Sequence, residues 1–168
     1  MKIWVLFMLC AAAFAQEDPR GWGKAHWGMT KQQLVVQLGA KSVPVDTIWS
    51  PKRESRLGLD FALEKLKFRA YFFVDEAFGL ETVHLVCQDE GTTLGDFLRL
   101  ERELTAKYGP PRKRKADTQK GFDANAAWVV GSTSIELVFL SVNGRAGDKV
   151  IHTKVFDITY HRVGADKL

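Results

Sequence analysis

Cysteine is nearly missing from this chain: Cys10 and Cys87 are the two in 168 residues. Cys10 lies in an N-terminal apolar run that reads as a leader. Cys87 alone would then remain, and no intramolecular disulfide can staple the fold. Proline is scarce too, at five, and with 14 glycines the composition excludes collagen-like and low-complexity chains. Neither sign of charge dominates, with 24 Lys and Arg against 20 Asp and Glu. A hydrophobic share of 46% excludes a wholly disordered chain and leaves enough apolar side chain for a core.

Catalytic motifs are lacking as well. The four histidines, His26, His84, His152 and His161, include no pair at the close spacing of a zinc site. His152 and His161 belong to one expected strand but differ by an odd number, so pleating turns them to opposite faces. His84 reads as a satisfied, partly buried histidine between strands. Gly131-Ser132-Thr133-Ser134 lacks the Gly-x-Ser-x-Gly elbow, and Gly21-Trp22-Gly23 has neither the spacing nor the lysine of a phosphate loop. Asp75-Glu76 and Asp89-Glu90 read as solvated loop charge. Cys87 ends the apolar run from Thr82 and reads as a small buried hydrophobe. No catalytic residue, metal or cofactor is assigned.

What is present begins with Lys2, the apolar run from Ile3 to Cys10, and Ala11-Ala12-Ala13-Phe14-Ala15. A positive start, an apolar stretch and an Ala-x-Ala pattern (Ala13 and Ala15) predict a signal peptide over 1–15, cleaved after Ala15. A membrane anchor needs about 20 apolar residues, whereas 13 lie between Lys2 and Gln16. Lipidation of Cys10 is disfavoured because Leu9, not a small residue, precedes it. The expectation is an exported protein, periplasmic or extracellular, with no membrane span in the mature chain.

Residues 16–168 read as one α+β domain. Thr30 and Gln33 form a capping box, Met29 can staple onto Leu34, and Gly39 can stop a short helix carrying Leu34, Val35 and Leu38 on one face. A second helix spans 93–108, with Leu94, Phe97, Leu98, Leu104 and Tyr108 as its apolar stripe and Asp96, Glu101, Arg102 and Lys107 away from or flanking it. Strands are expected over 45–49, 57–63, 66–74 and 80–88, then 126–130, 135–140 and 150–161, with turns at Gly131-Ser132 and Asn143-Gly144. The pattern predicts two helix-plus-antiparallel-meander halves, about 22–90 and 91–162, with the helices packed on one face of antiparallel sheet.

The run Trp27-Gly28-Met29-Thr30-Lys31-Gln32-Gln33-Leu34, with Leu38-Gly39, resembles the opening of the small outer-membrane-assembly lipoproteins of the SmpA/OmlA type. Tyr71-Phe72-Phe73-Val74-Asp75-Glu76 and Leu80-Glu81-Thr82-Val83 are similar to that family's closing hairpin. The beta-lactamase-inhibitor proteins share this architecture as a tandem pair. The resemblance implies a non-enzymatic envelope protein acting through protein–protein contacts on its sheet or loops.

Candidate contact residues come from charge and aromatics. Arg112-Lys113-Arg114-Lys115, helped by Lys120, could hold an anionic surface or an acidic partner, or could be the guarded edge of a sheet. Trp27 and Trp128 read as core, Trp22 and Trp49 as exposed contact points. Three functions follow: an envelope binding or scaffold protein whose partner is another envelope protein, a small secreted hydrolase-like enzyme, or an anionic-surface binder. Export makes nucleic acid an unsuitable partner.

Overall fold

The structure is a computed structural model describing residues 18–43, 56–117, 122–146 and 149–164. The expected leader, the strand at 45–49, Trp49 and Lys120 lie outside the described residues. The elements in chain order are β1 (Gly21–Trp22), β2 (Ala25–His26), α1 (Lys31–Leu38), β3 (Lys41–Val43), β4 (Arg56–Leu63), β5 (Leu66–Asp75), β6 (Gly79–Cys87), α2 (Leu94–Tyr108), β7 (Lys113–Asp117), β8 (Phe122–Val130), β9 (Thr133–Ala146) and β10 (Lys149–Arg162). The fold is α+β, mostly antiparallel sheet with two helices. One eight-stranded sheet runs in the order β3-β4-β5-β6-β10-β9-β8-β7, and β1 pairs with β2 separately.

Period-two alternation decides which face is buried. In β5, Leu66, Phe68, Ala70 and Phe72 are buried, while Lys67, Arg69, Tyr71 and Phe73 are not. The register carries the apolar set across the sheet. Leu57 faces Phe72, which faces Val83, and the row continues through Tyr160 and Ile135 to Trp128. The next row runs from Leu59 through Ala70, Leu85, Ile158 and Leu137 to Ala126. A slip of one residue in any pairing would turn that strand's apolar residues out of the core, which is why the register is so strongly specified.

The helices lie toward opposite ends of this sheet. α1 lies against β4 and α2 against β8 and β9, and Leu34, Phe97, Leu100 and Leu104 join the same core cluster. The start of α1 is as expected: Gln33 N donates to Thr30 Oγ1 at 3.3 Å and Thr30 N donates to Gln33 Oε1 at 2.9 Å. Gly39 ends it in the left-handed conformation, φ 67°. The apolar stripes need correction. Leu34 is buried but Val35 is exposed, so α1 buries a narrower face. On α2, Leu98 is exposed, and Leu100 with Glu101 takes the buried positions. Glu101 can sit there because Arg114 reaches it from β7.

Two turn expectations divide. The Gly131-Ser132 turn is present. Asn143-Gly144 is not a turn, since β9 continues through it with Asn143 opposite His152 and Gly144 opposite Ile151. Cross-strand pairing over 14 residues outweighs the local preference of Asn-Gly. Gly79, at φ 72°, shows why one turn residue is fixed: a Cβ there would lie 2.2 Å from the Gly28 carbonyl oxygen. That close approach lets Gly28 N donate to Leu80 O at 3.0 Å and Leu80 N to Met29 O at 2.8 Å. The segment before α1 is thereby tied to the start of β6.

Candidate functional site

The sheet face turned away from the helices follows from the same register. One row is Tyr71, His84, Thr159 and Glu136, and its neighbour is Phe73, Thr82, His161 and Ser134. A third holds Arg69, Val86, Asp157 and Val138. At the β6–β10 seam these side chains bond to each other. His84 Nε2 lies 3.0 Å from Asp157 Oδ2, with the two side chains 17% and 12% exposed. Thr82 Oγ1 lies 3.0 Å from His161 Nδ1. His84 is thus the satisfied, half-buried histidine expected, and the strand alternation brings its carboxylate partner from 73 residues away.

The rest of the expected sites scatter. The basic run is not one patch. It enters β7, the edge strand, and alternates: Arg114 faces Ala126 on the helix side while Lys113 and Lys115 face Ala127 and Asn125. Arg114 Nε and Nη2 donate to Glu101 Oε1 and Oε2 at 2.5 and 3.1 Å, and Lys115 Nζ donates to Asp123 at 2.7 Å. Arg112 and Lys113 are exposed. Trp22 is not the exposed contact point expected. It is half-buried, its ring 4.9 Å from Phe61 and 6.1 Å from Phe72 between centroids, because the β1–β2 hairpin folds it onto the core. Trp128 is core, with Nε1 donating to Gly109 O at 2.9 Å, and Trp27 is half-buried, with Nε1 donating to Thr133 Oγ1 at 2.9 Å.

Two clefts of about 450 Å3 each open elsewhere. The first lies under the loop between β6 and α2, lined by Cys87, Thr92, His152, Lys154 and Phe156 among others. Lys154 Nζ donates to the carbonyls of Glu90 and Thr92 at 2.6 and 2.9 Å, and His152 Nδ1 lies 2.6 Å from Asn143 Oδ1. Burial pushes the Cys87 thiol up, so it stays protonated and is a poor nucleophile. Asp89, expected as free loop charge, accepts the Lys67 amide at 2.6 Å.

The second cleft is lined by Arg20, His26, Trp27, Ser132 and Arg162. Asp18 ties two of these residues together: Ser132 N and Oγ donate to Asp18 Oδ2 at 3.1 and 2.9 Å, and Arg20 N donates to Oδ1 at 3.1 Å. Desolvation acts against these bonds, yet they hold the Asp18 carboxyl below its usual range. Gly131, at φ 55°, leaves room for that carboxylate: a Cβ there would stand 2.3 Å from Asp18 Cγ. Sequence reasoning weighed Gly21-Trp22-Gly23 and Gly131-Ser132 separately and missed Arg20, Arg162 and Asp18. Nothing local in the sequence says that the two segments meet. Among the described residues no cluster of three or more His, Cys, Asp or Glu side chains suits a metal ion.

No family model matches the chain, and no curated protein matches it. Among solved structures, it is similar to a DUF4309 family protein (YjgB) from Bacillus subtilis, with 10% identity and a TM-score of 0.41. That match covers 79% of this chain and 78% of the other.

Proposed function

We propose that this is an exported, non-enzymatic binding or scaffold protein of the bacterial cell envelope that engages another protein through the open face of its sheet. The observation that carries the reading is that face itself. Tyr71, Phe73, His84, Thr159 and His161 form a half-buried aromatic and polar carpet opposite the helices, with Thr82 buried among them. Its polar groups are held by hydrogen bonds across the β6–β10 seam, so little side-chain entropy is left to lose on association. The Lys2-to-Ala15 pattern supports export. The order of one helix then four strands occurs twice, α1 with β3–β6 and α2 with β7–β10, and the two sets meet through β6 and β10. We read these as the halves 22–90 and 91–162, in keeping with the resemblance to the SmpA/OmlA and beta-lactamase-inhibitor architectures.

The test is affinity capture from an envelope extract with the wild type, a Tyr71→Asp/Glu136→Lys variant of the open face, and Arg102→Glu on α2. The reading requires a partner retained by the wild type and by Arg102→Glu and lost from the open-face variant. Retention of every partner by all three would overturn it. Osmotic-shock fractionation with N-terminal sequencing checks export, which demands a chain starting at Gln16.

One observation favours a second, enzymatic reading. The His84–Asp157 pair has the distance of an oriented general base, and a secreted hydrolase-like site could be built on it. No hydroxyl is hydrogen-bonded to His84 among the described residues, so water would have to be the nucleophile. Ester or amide hydrolysis abolished by His84→Ala in a folded variant would establish that reading; activity indifferent to the change would remove it. The anionic-surface reading of Arg112 to Lys115 predicts retention on heparin that drops on neutralising Arg112 and Lys113.

A further inference from the structure

We propose that the cleft between the β1–β2 hairpin and the β8–β9 turn binds a phosphate-bearing ligand, with Arg20 and Arg162 holding the phosphate and Trp27 supplying an apolar wall. This site is separate from the open face and stands or falls independently of it. Its volume of about 450 Å3 lies within the roughly 300–1,000 Å3 of ordinary small-molecule sites.

An inventory of donors gives the ligand its chemistry. Arg162 meets no carboxylate among the described residues. The anion beside Arg20 is Asp18, and its oxygens are already taken by Arg20 N, Ser132 N and Ser132 Oγ. The Ser132 hydroxyl hydrogen goes to Asp18 and the Trp27 Nε1–H to Thr133. The cationic residues lining the cleft are Arg20 and Arg162, beside His26 and an indole whose N–H is already given to Thr133. Asp18 keeps its charge beside Arg20 and offsets part of it, so the match rests on geometry. The several acceptor oxygens of a phosphomonoester can engage both guanidinium forks, whereas the two oxygens of a carboxylate fill one.

The walls are set before any ligand arrives. Arg20 sits in the left-handed region at φ 46°, which a residue with a Cβ adopts at an energetic cost. It is pinned there by its own amide on Asp18 and by Trp27 N donating to Arg20 O at 2.9 Å. Across the cleft, Arg162 pairs with Thr133 at the end of the β9–β10 ladder, and Val163 N donates to Ser132 O at 2.8 Å. Both arginines therefore project from fixed backbone.

Calorimetric titration with phenyl phosphate at low ionic strength and pH 7.5 tests the site, with sedimentation on phosphatidylglycerol vesicles in parallel. The expected result is saturable binding that weakens by roughly tenfold or more in Arg162→Met and in Arg20→Met, one charge-assisted contact being lost in each. Arg102→Met on α2 should bind as the wild type does. Vesicle retention lost in Arg162→Met, without phenyl phosphate binding, also supports the site and assigns the phosphate to a lipid headgroup. Binding of neither probe overturns the proposal. So does equal binding by the wild type and an Arg20→Met/Arg162→Met variant whose circular dichroism shows it folded.

Discussion

Replacing Arg114 by Ala separates a structural cation from a surface one within the same basic run. Arg114 is half exposed at 50%, but its partner Glu101 is only 10% exposed in its side chain and receives a two-pronged bond from the guanidinium. Removing the guanidinium strands a carboxylate on the buried face of α2. A fully buried pair broken this way costs about 3–5 kcal/mol, and an exposed pair about 0.2–1 kcal/mol. With one partner half in water, the expected loss is about 1–2 kcal/mol, or roughly 3–6 °C in a chain of this size. Lys113→Ala on the same strand, exposed and with no ion pair among the described residues, should stay within about 0.5 kcal/mol of the wild type. Urea titration followed by circular dichroism reads both, through a lowered midpoint at unchanged slope. The double change Glu101→Leu/Arg114→Leu should recover most of the loss, because it leaves no charge behind. Equal midpoints for Arg114→Ala and Lys113→Ala would refute the reasoning, since Glu101 would then be finding water or another donor.

Three further outcomes follow from the same structure. Gly79→Ala should cost more than about 2 kcal/mol, combining a positive φ with a backbone clash against Gly28, and proteolysis before α1 should speed up as the two bonds to Leu80 loosen. Thr30→Ala should cost about 1 kcal/mol through loss of the cap, read as a lower thermal midpoint, and Thr30→Ser should restore it. The Arg69 guanidinium beside Asp60 holds that carboxyl below its usual range. The pair's stabilisation is therefore present above the unfolded value near pH 3.9 and is lost as pH falls through the folded one. Asp60 is two-thirds exposed, so Asp60→Asn should flatten the acid limb of the stability curve by no more than about 1 kcal/mol.

Local physics made part of this protein legible from its residues. The capping box at Thr30 and Gln33, the glycine stop at Gly39, the span of α2 and the alternation in β5 each depend on neighbours within a few positions, and each is where the sequence put it. The burial of Trp128 and the satisfied state of His84 were also readable, because an aromatic or imidazole inside an apolar alternation has few other places to go. The errors came where a distant partner outweighs a local preference. Glu101 reads as a surface charge until β7 brings Arg114 to it, and Leu98 then loses the buried position to Leu100. Asn143-Gly144 reads as a turn until the β9–β10 ladder runs straight through it.

Sequence alone marked both helices, the strands β4, β5 and β6 and the alternating faces of β5, since those follow from periods of 3.6 and 2 residues along the chain; it did not mark β1, β2 or the full length of β9. Only the tertiary structure decided which strands are neighbours. The β6–β10 seam joins His84 to Asp157, and the segment carrying Arg20, His26 and Trp27 folds against Ser132 and Arg162 to make the cationic cleft. Contacts separated by 73 to 114 residues leave no periodic trace, because they are selected by the burial of whole faces rather than by any one residue's preference.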